Sequence, residues 1–395
     1  MTTATTSRWA RRYVVLSAIF LVGWQVSVLW GVPRHTEVLL GVFGFALHML
    51  FGKAYSLVPS YFNRQLAVRW APGSQFSLTV TGTGSLILAS LGVGPKWLAA
   101  LGAFLWLGGV ALFLSALLWT VRGNLTGRET ATGTTNTSRR PIDRMANGFV
   151  PVALGYLAIG SYETAARYSV LPTLLDGYFP RVTHLLAAGT AALLLFALGF
   201  RLLPRFFVAS PPRWLVAVVL PAGALGPALL ATQLGGGRWF RLGAVIESVA
   251  VIGFALAVWT LFARSDRRRV GFYGVLAGTA AGVLGVLLGL SFAFGHLTAE
   301  LVTVHLRVNV LGFLGLSIIG VAYQFYPPAV GQLPGVSNRS ALFAIGAIAG
   351  GLVSQLIGVA GHVLAVTVVG EGLTALGALV YAYVLGAVFH ARPSK

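Results

Sequence analysis

The chain has 395 residues, of which 56% are hydrophobic and only 9% are charged. About a quarter of the residues of a soluble domain are charged, so this composition excludes an ordinary soluble protein and predicts an integral membrane protein. The chain has no cysteine, which excludes disulfides, thiolate metal sites and a cysteine nucleophile. The net charge of +19 does not indicate nucleic-acid binding, because the arginines are dispersed between apolar stretches rather than massed on a polar domain.

Runs of apolar residues predict an all-α protein with twelve transmembrane helices that contacts the lipid bilayer throughout. The predicted spans are residues 13–31, 36–59, 76–93, 97–121, 147–168, 182–204, 213–233, 240–263, 270–293, 299–327, 341–368 and 372–390. Of the 28 Lys and Arg residues, 20 fall on the N-terminal side of the predicted membrane, 6 fall on the other side, and 2 lie within spans. Since basic residues collect on the cytoplasmic side, both termini are predicted to lie in the cytoplasm and the protein in the cytoplasmic membrane.

A stripe of small and polar residues recurs on three of the predicted spans. On span 299–327 the spacing of three or four residues puts the stripe on one helical face, and its members are His305, Asn309, Gly312, Leu316, Gly320, Tyr323 and Pro327. On span 36–59 the members are Gly41, Gly44, His48, Gly52, Tyr55 and Pro59, and a weaker copy runs from Gly189 to Pro204. In each copy a glycine lies fifteen residues before the proline.

This repetition predicts three pseudo-repeated units of four helices each, at residues 1–121, 147–266 and 267–395. The polar segment 122–146 between the first two units is predicted to be a flexible cytoplasmic linker. The second helix of each unit carries the stripe, and these three helices are expected to lie innermost. Inside a membrane such a stripe should face protein or a cofactor rather than lipid.

Span 299–327 resembles the tenth helix of heme–copper oxidase subunit I, on the pattern formed by His305, Asn309, Gly312, Phe313, Gly320, Tyr323 and Pro327. Span 36–59 is similar to an early helix of the NnrS family of denitrification-linked membrane proteins. The resemblance implies a divergent oxidase-like fold in which histidines hold heme iron or copper and a redox partner protein exchanges electrons. Two departures stand out, because Arg307 replaces the second histidine of the family's pair and span 213–233 has no histidine. A complete oxygen-reducing copper centre is therefore not expected.

His305 is the first candidate ligand for heme or a metal, with Asn309 and Arg307 in support. Arg307 could pair with a heme propionate, with a phospholipid phosphate or with an acidic side chain such as Glu300. His48 lies deeper on its own span, so it is a candidate for heme binding, for a proton path or for simple helix packing.

His35, His184 and His305 are predicted to lie at similar depth on three related helices, so they could together form a three-histidine metal site. The alternative is that these histidines sit at the level of the lipid headgroups.

Two further charges are predicted within spans, Lys53 and Glu247, where an uncompensated charge is costly. They could pair with each other or line a proton or ion path. A second class of function therefore stays open beside the heme or metal protein for electron transfer, gas sensing or gas detoxification. That class is a cofactor-free transporter or channel for a proton, a metal or a small anion.

Overall fold

The computed structural model describes residues 2–295 and 297–391, and this part of the chain consists of helices joined by turns, without any β-strand. Twelve of the helices that it describes are long. They are α1 (Thr2–Leu29), α2 (Arg34–Tyr61), α3 (Ala71–Ser90), α4 (Leu98–Val121), α5 (Arg140–Arg167), α6 (Phe179–Phe207), α7 (Arg213–Thr232), α8 (Gly237–Ala263), α9 (Val270–Ala293), α10 (Ala299–Phe325), α11 (Asn338–Ala360) and α12 (Leu364–Ala391).

Ten of the described helices are long and apolar enough to cross a membrane, and the two long helices outside this group are α3 and α5. α3 is rich in Ser, Thr and Gly, and α5 begins with the charged sequence RPIDR, so both are less apolar than the rest. The composition and the ten candidate spans together define an all-α, multi-pass membrane protein.

Side chains cap the start of two of the long helices described. Thr298 caps α10 by accepting a hydrogen bond from the Leu301 amide, and Ser337 forms a capping box at the start of α11. The sequence predicts that span 341–368 continues past residue 362, and this is wrong. α11 ends at Ala360, and His362 lies in the turn before α12 with a left-handed φ of 54°. His362 is therefore a turn residue and not a packing residue within a span.

Three π-helical stretches interrupt the long helices, and each occurs in one of the three helices that carry the repeated stripe. They are Leu39–Leu47 in α2, Leu185–Ala192 in α6 and Val308–Leu316 in α10. The stretches begin nineteen or twenty residues before Pro59, Pro204 and Pro327, so they occupy the same register in all three helices. Because π-helical turns are rare and cluster at functional sites, this shared position marks a feature common to the three helices.

The repeated glycines pack against the helix that precedes each stripe. A Cβ added to Gly44 of α2 would lie 2.5 Å from Phe20 of α1. A Cβ on Gly189 of α6 would lie 2.5 Å from Tyr156 of α5. Gly312 of α10 would meet Ala281 of α9 at 2.7 Å in the same way. All three glycines are buried in protein, as the sequence predicts, and each allows two helices to approach closely.

α2, α6 and α10 form the centre of the molecule. In their most apolar stretches 89%, 72% and 78% of the residues are buried, against 33–56% for the other seven candidate spans. Their π-helical stretches contact one another, and α12 packs against α1, so the first and last long helices are neighbours. The prediction that these three helices lie innermost is confirmed.

Candidate functional site

A cavity of about 680 Å³ lies between α6, α8, α9 and α10, and the first residues of α2 also line it. Its walls are mainly Ala, Val, Leu and Phe side chains. Its polar residues are Arg34, His35, Thr183, His184, Glu247, Ser248, Thr298, His305 and Asn309. Pockets of about 300–1,000 Å³ with apolar walls and a few convergent polar groups are typical of cofactor and small-molecule sites.

His305 contributes one imidazole to this cavity. Its Nδ1 lies 3.0 Å from the carbonyl oxygen of Gly285 on α9. A carbonyl can only accept, so Nδ1 carries the proton and Nε2 keeps its lone pair. No residue in the described ranges hydrogen-bonds Nε2. Asn309 lies on the next turn, and its amide nitrogen donates to the His305 carbonyl oxygen at 2.8 Å. With Nδ1 protonated, the 3.2 Å approach of that nitrogen to Nδ1 is not a hydrogen bond, so only Gly285 holds the ring.

His184 contributes a second imidazole from α6. Its Nδ1 donates to the carbonyl oxygen of Pro180 at 2.8 Å, which again leaves Nε2 as the unprotonated nitrogen. Both His184 and His305 line the cavity, and the two rings are near enough to interact electrostatically. This is the orientation that histidine ligands usually have, with the second ring nitrogen fixed by a backbone carbonyl.

His35 lines the same cavity, but its ring has other partners. Its Nε2 is 2.9 Å from the hydroxyl of Tyr168, and its ring lies 3.9 Å from the ring centre of Phe179. Within residues 2–295 and 297–391, no group of three or more His, Cys, Asp or Glu side chains is arranged to hold a metal ion. The predicted trio of His35, His184 and His305 therefore shares a cavity without forming one coordination centre.

His48 lies away from the cavity and is fully buried. Its Nδ1 is bonded to the carbonyl oxygen of Phe43 at 2.7 Å, and aromatic rings of Tyr13, Phe20, Phe51 and Trp106 surround it. Its Nε2 has no partner among the described residues. Of the alternatives that the sequence leaves open for His48, the observed surroundings are those of a packed histidine.

Arg307 is held by carboxylates, and Glu300 is not among them. Its Nε and Nη2 donate to the two oxygens of Glu37 at 3.0 and 2.9 Å, and its Nη1 donates to Glu371 at 2.7 Å. Nη1 also donates to Gln355 at 3.1 Å. These partners join α2, α10, α11 and α12 in one buried network. Of the alternatives that the sequence leaves open for Arg307, the structure therefore shows the ion pair with acidic side chains, and the partners are Glu37 and Glu371 in place of Glu300.

Lys53 and Glu247 do not meet. The Lys53 ammonium donates to the Tyr326 hydroxyl at 2.9 Å and lies 4.1 Å from the ring centre of Phe325. Glu247 lines the cavity on α8, and its Oε2 has no hydrogen-bond partner in the described part of the chain. A Lys53–Glu247 ion pair is therefore excluded. Glu247 lines the cavity, whereas neither Lys53 nor His48 lines it.

A second buried ionic network lies at the other ends of these helices, and sequence reasoning missed it. Asp143 of α5 pairs with Arg205 at 2.7 Å and lies 3.6 Å from Arg201, both on α6. Arg201 also donates to the Tyr61 carbonyl oxygen at 2.9 Å at the end of α2. The network fixes α2, α5 and α6 to one another.

No protein-family model matches this sequence, and the comparison with curated proteins finds no significant match. The functional argument therefore rests on the cavity itself.

The cavity fits a heme better than it fits a bare metal ion. Two imidazoles with fixed Nδ1 protons offer Nε2 lone pairs, which is the donor that heme iron takes from histidine. Protein zinc and copper sites use three or four side-chain ligands, and the residues that the structure describes do not assemble three. Arg34 also lines the cavity, is exposed, and forms no ion pair with a described residue, so it can face a carboxylate of a bound ligand.

Proposed function

We propose that this chain is a heme-binding membrane protein, and that His305 would hold the heme iron in the cavity between α6 and α10. The observation that carries the proposal is the pair of cavity imidazoles whose Nδ1 atoms are tied to backbone carbonyls. When bound, a heme supplies one-electron chemistry and an iron that can take a diatomic gas.

Several polar residues of the cavity would have separate roles in binding the heme. His305 would hold the iron, while Gly285 fixes its ring and Asn309 bonds to its backbone carbonyl. His184 would be the second residue able to hold the iron. If both imidazoles held it, the protein would suit electron transfer with a redox partner protein. If His305 alone held it, the protein would suit gas sensing or detoxification. Arg34 would face a propionate, which is one of the roles that the sequence analysis leaves open for Arg307.

The architecture proposed for this function has twelve transmembrane helices, with α3 and α5 crossing the membrane as well. Three four-helix units at residues 1–121, 147–266 and 267–395 follow the arrangement of heme–copper oxidase subunit I. The shared register of the three π-helical stretches and the matching glycine contacts support the repeat. Copper is not needed in this form of the proposal.

We place both termini and the segment 122–146 in the cytoplasm, in line with the distribution of basic residues. The native chain has no thiol, so single substitutions Thr134→Cys and Gly236→Cys give a clean test. In intact cells an impermeant maleimide should label the Gly236→Cys protein and spare the Thr134→Cys protein. The reverse pattern would invert the orientation.

The test of heme binding is an absorbance spectrum of protein purified from heme-replete cells, with iron and copper analysis. Wild type should show a Soret band and about one iron per chain, and His305→Ala should lose most of both. His48→Ala is the matched control, since His48 lies outside the cavity and its removal should leave the band in place. A colourless, iron-free wild type that still folds would refute the proposal.

The second candidate function is transport, and Glu247 is the observation that favours it. A buried carboxyl group with an unpartnered oxygen on a membrane cavity is suited to taking up a proton or a small cation. In that case the purified protein is colourless, and Glu247→Gln abolishes ion or proton flux in liposomes. Lys53 is not part of this path, because it is bonded to Tyr326.

A further inference from the structure

A second recess, of about 570 Å³, lies on the surface at the start of α1. It is lined by Arg8, Arg11, Arg12, Val15, Leu16 and Ile19 of α1, by Phe76 of α3 and by Phe389 of α12. We call this recess the α1 groove. No lining residue is acidic, and the sequence has no acidic residue before Glu37. Among the described residues that line the groove, none supplies a carboxylate to Arg8 or Arg12.

The α1 groove changes from cationic to apolar along the helix axis. Its α1 residues fall at positions 8, 11 and 12, 15 and 16, and 19, so each is three or four residues from a member of the next turn and together they form one stripe. With a rise of 1.5 Å per residue, the arginine part from Arg8 to Arg12 is about 6 Å long. The following part from Arg12 to Ile19 extends about 10 Å further. A charged end of this size followed by an apolar track has the shape of a phospholipid headgroup and the first half of an acyl chain.

Arg8 and Arg12 are placed to bind a phosphate group. The Arg12 guanidinium carbon lies 4.4 Å from the ring centre of Trp9, a cation–π contact that favours this position of the charged group beside α1. Arg8 is exposed at the open end of the groove. Below them, Val15 is 40% exposed and Ile19 is 61% exposed, so an acyl chain can cover both side chains.

We propose that the α1 groove binds one anionic phospholipid, with its phosphate on Arg8 and Arg12 and an acyl chain along Val15 and Ile19. Clusters of basic residues beside membrane helices attract anionic headgroups in this way. The groove is bordered by α1, α3 and α12, so the lipid contacts the first and the last long helix where they meet. Its binding strengthens the contact between those two helices. This site is independent of the heme cavity.

The test is native mass spectrometry of the full chain in detergent, titrated with phosphatidylglycerol or with phosphatidylcholine of identical acyl chains. Wild type should retain one phosphatidylglycerol at least tenfold more tightly than phosphatidylcholine and should melt at a higher temperature in its presence. The Arg8→Gln/Arg12→Gln variant should bind both lipids alike. Arg339→Gln removes an exposed arginine at the start of α11 and should keep the preference.

If the double variant does not fold, Arg8→Gln alone serves instead, because the Arg8 side chain is exposed and should tolerate substitution. It should lower the preference at least threefold. Equal binding of the two lipids by wild type, or an unchanged preference in the groove variants, would overturn the proposal. A heme spectrum lost or kept in these variants does not bear on it.

Discussion

The network around Arg307 gives the sharpest prediction of stability. Its side chain is 11% exposed, and its partners Glu37 and Glu371 are 3% and 17% exposed. Replacing Arg307 with Gln leaves both carboxylates buried, and only the Trp24 indole, at 3.1 Å, still donates to Glu37. Breaking a buried ion pair by removing one partner costs about 3–5 kcal/mol, because the remaining charge has no counter-ion. We expect Arg307→Gln to lower the free energy of unfolding by this amount.

The assay is SDS-induced unfolding in mixed micelles, followed by circular dichroism. Arg307→Lys keeps the charge but loses the two parallel bonds to Glu37, so it should cost about 1.5–3 kcal/mol. Adding Glu37→Gln to Arg307→Gln should restore more than half of the loss, because it removes the more deeply buried unpaired charge. Arg64→Gln breaks an exposed pair and should have little effect. An Arg307→Gln protein as stable as wild type would refute the reasoning.

Two smaller predictions concern a glycine and a surface carboxylate. Gly44→Ala should destabilise the protein by about 1–3 kcal/mol, because the new Cβ would clash with Phe20. The control Gly84→Ala places its Cβ in open space and should be neutral. Equal melting temperatures for the two variants would contradict this prediction. The Arg64 guanidinium lowers the pKa of the exposed Glu129 carboxyl. The pair should therefore stabilise the loop at pH values above the ordinary pKa of glutamate. This stabilisation should be lost as the pH falls through the lowered pKa of Glu129. A carboxyl ¹³C titration should show the Glu129 carboxyl titrating below its usual range, and loss of that shift in Arg64→Gln identifies the signal.

Much of the fold can be predicted from the sequence, because apolar runs of membrane length leave few alternatives. The repeated stripes also identify the inner helices correctly, since small residues occur where two backbones approach closely, as at Gly44 and Gly312. The placement of His184 and His305 on one cavity follows from their similar distance to the prolines of the repeat. The π-helical stretches could not be predicted. The repeated stripes indicate helices, but they do not indicate where an α-helix widens to π-helical turns.

The partners of Arg307 were the main failure of prediction. Glu300 lies seven residues away and suggests a pair on one helix face, but the guanidinium instead reaches Glu37 and Glu371 on other helices. Glu37 is 270 residues distant in the chain, and such contacts depend on how helices are arranged around the centre. Glu37 lies in the first turn of the predicted span 36–59, and Glu371 directly precedes the predicted span 372–390, so the sequence indicates positions near the lipid headgroups for both. Their burial becomes visible only when α2, α10 and α12 are packed together.

Replacement of the proposed ligand by an external one tests the heme assignment most directly. His305→Gly removes the imidazole and leaves space beside Gly285, so the purified variant should lack the Soret band. Imidazole added during heme reconstitution should restore the band in this variant and should change nothing in His48→Gly. If His305→Gly binds heme with an unaltered spectrum and no imidazole, then His305 is not the ligand, and the central claim is contradicted.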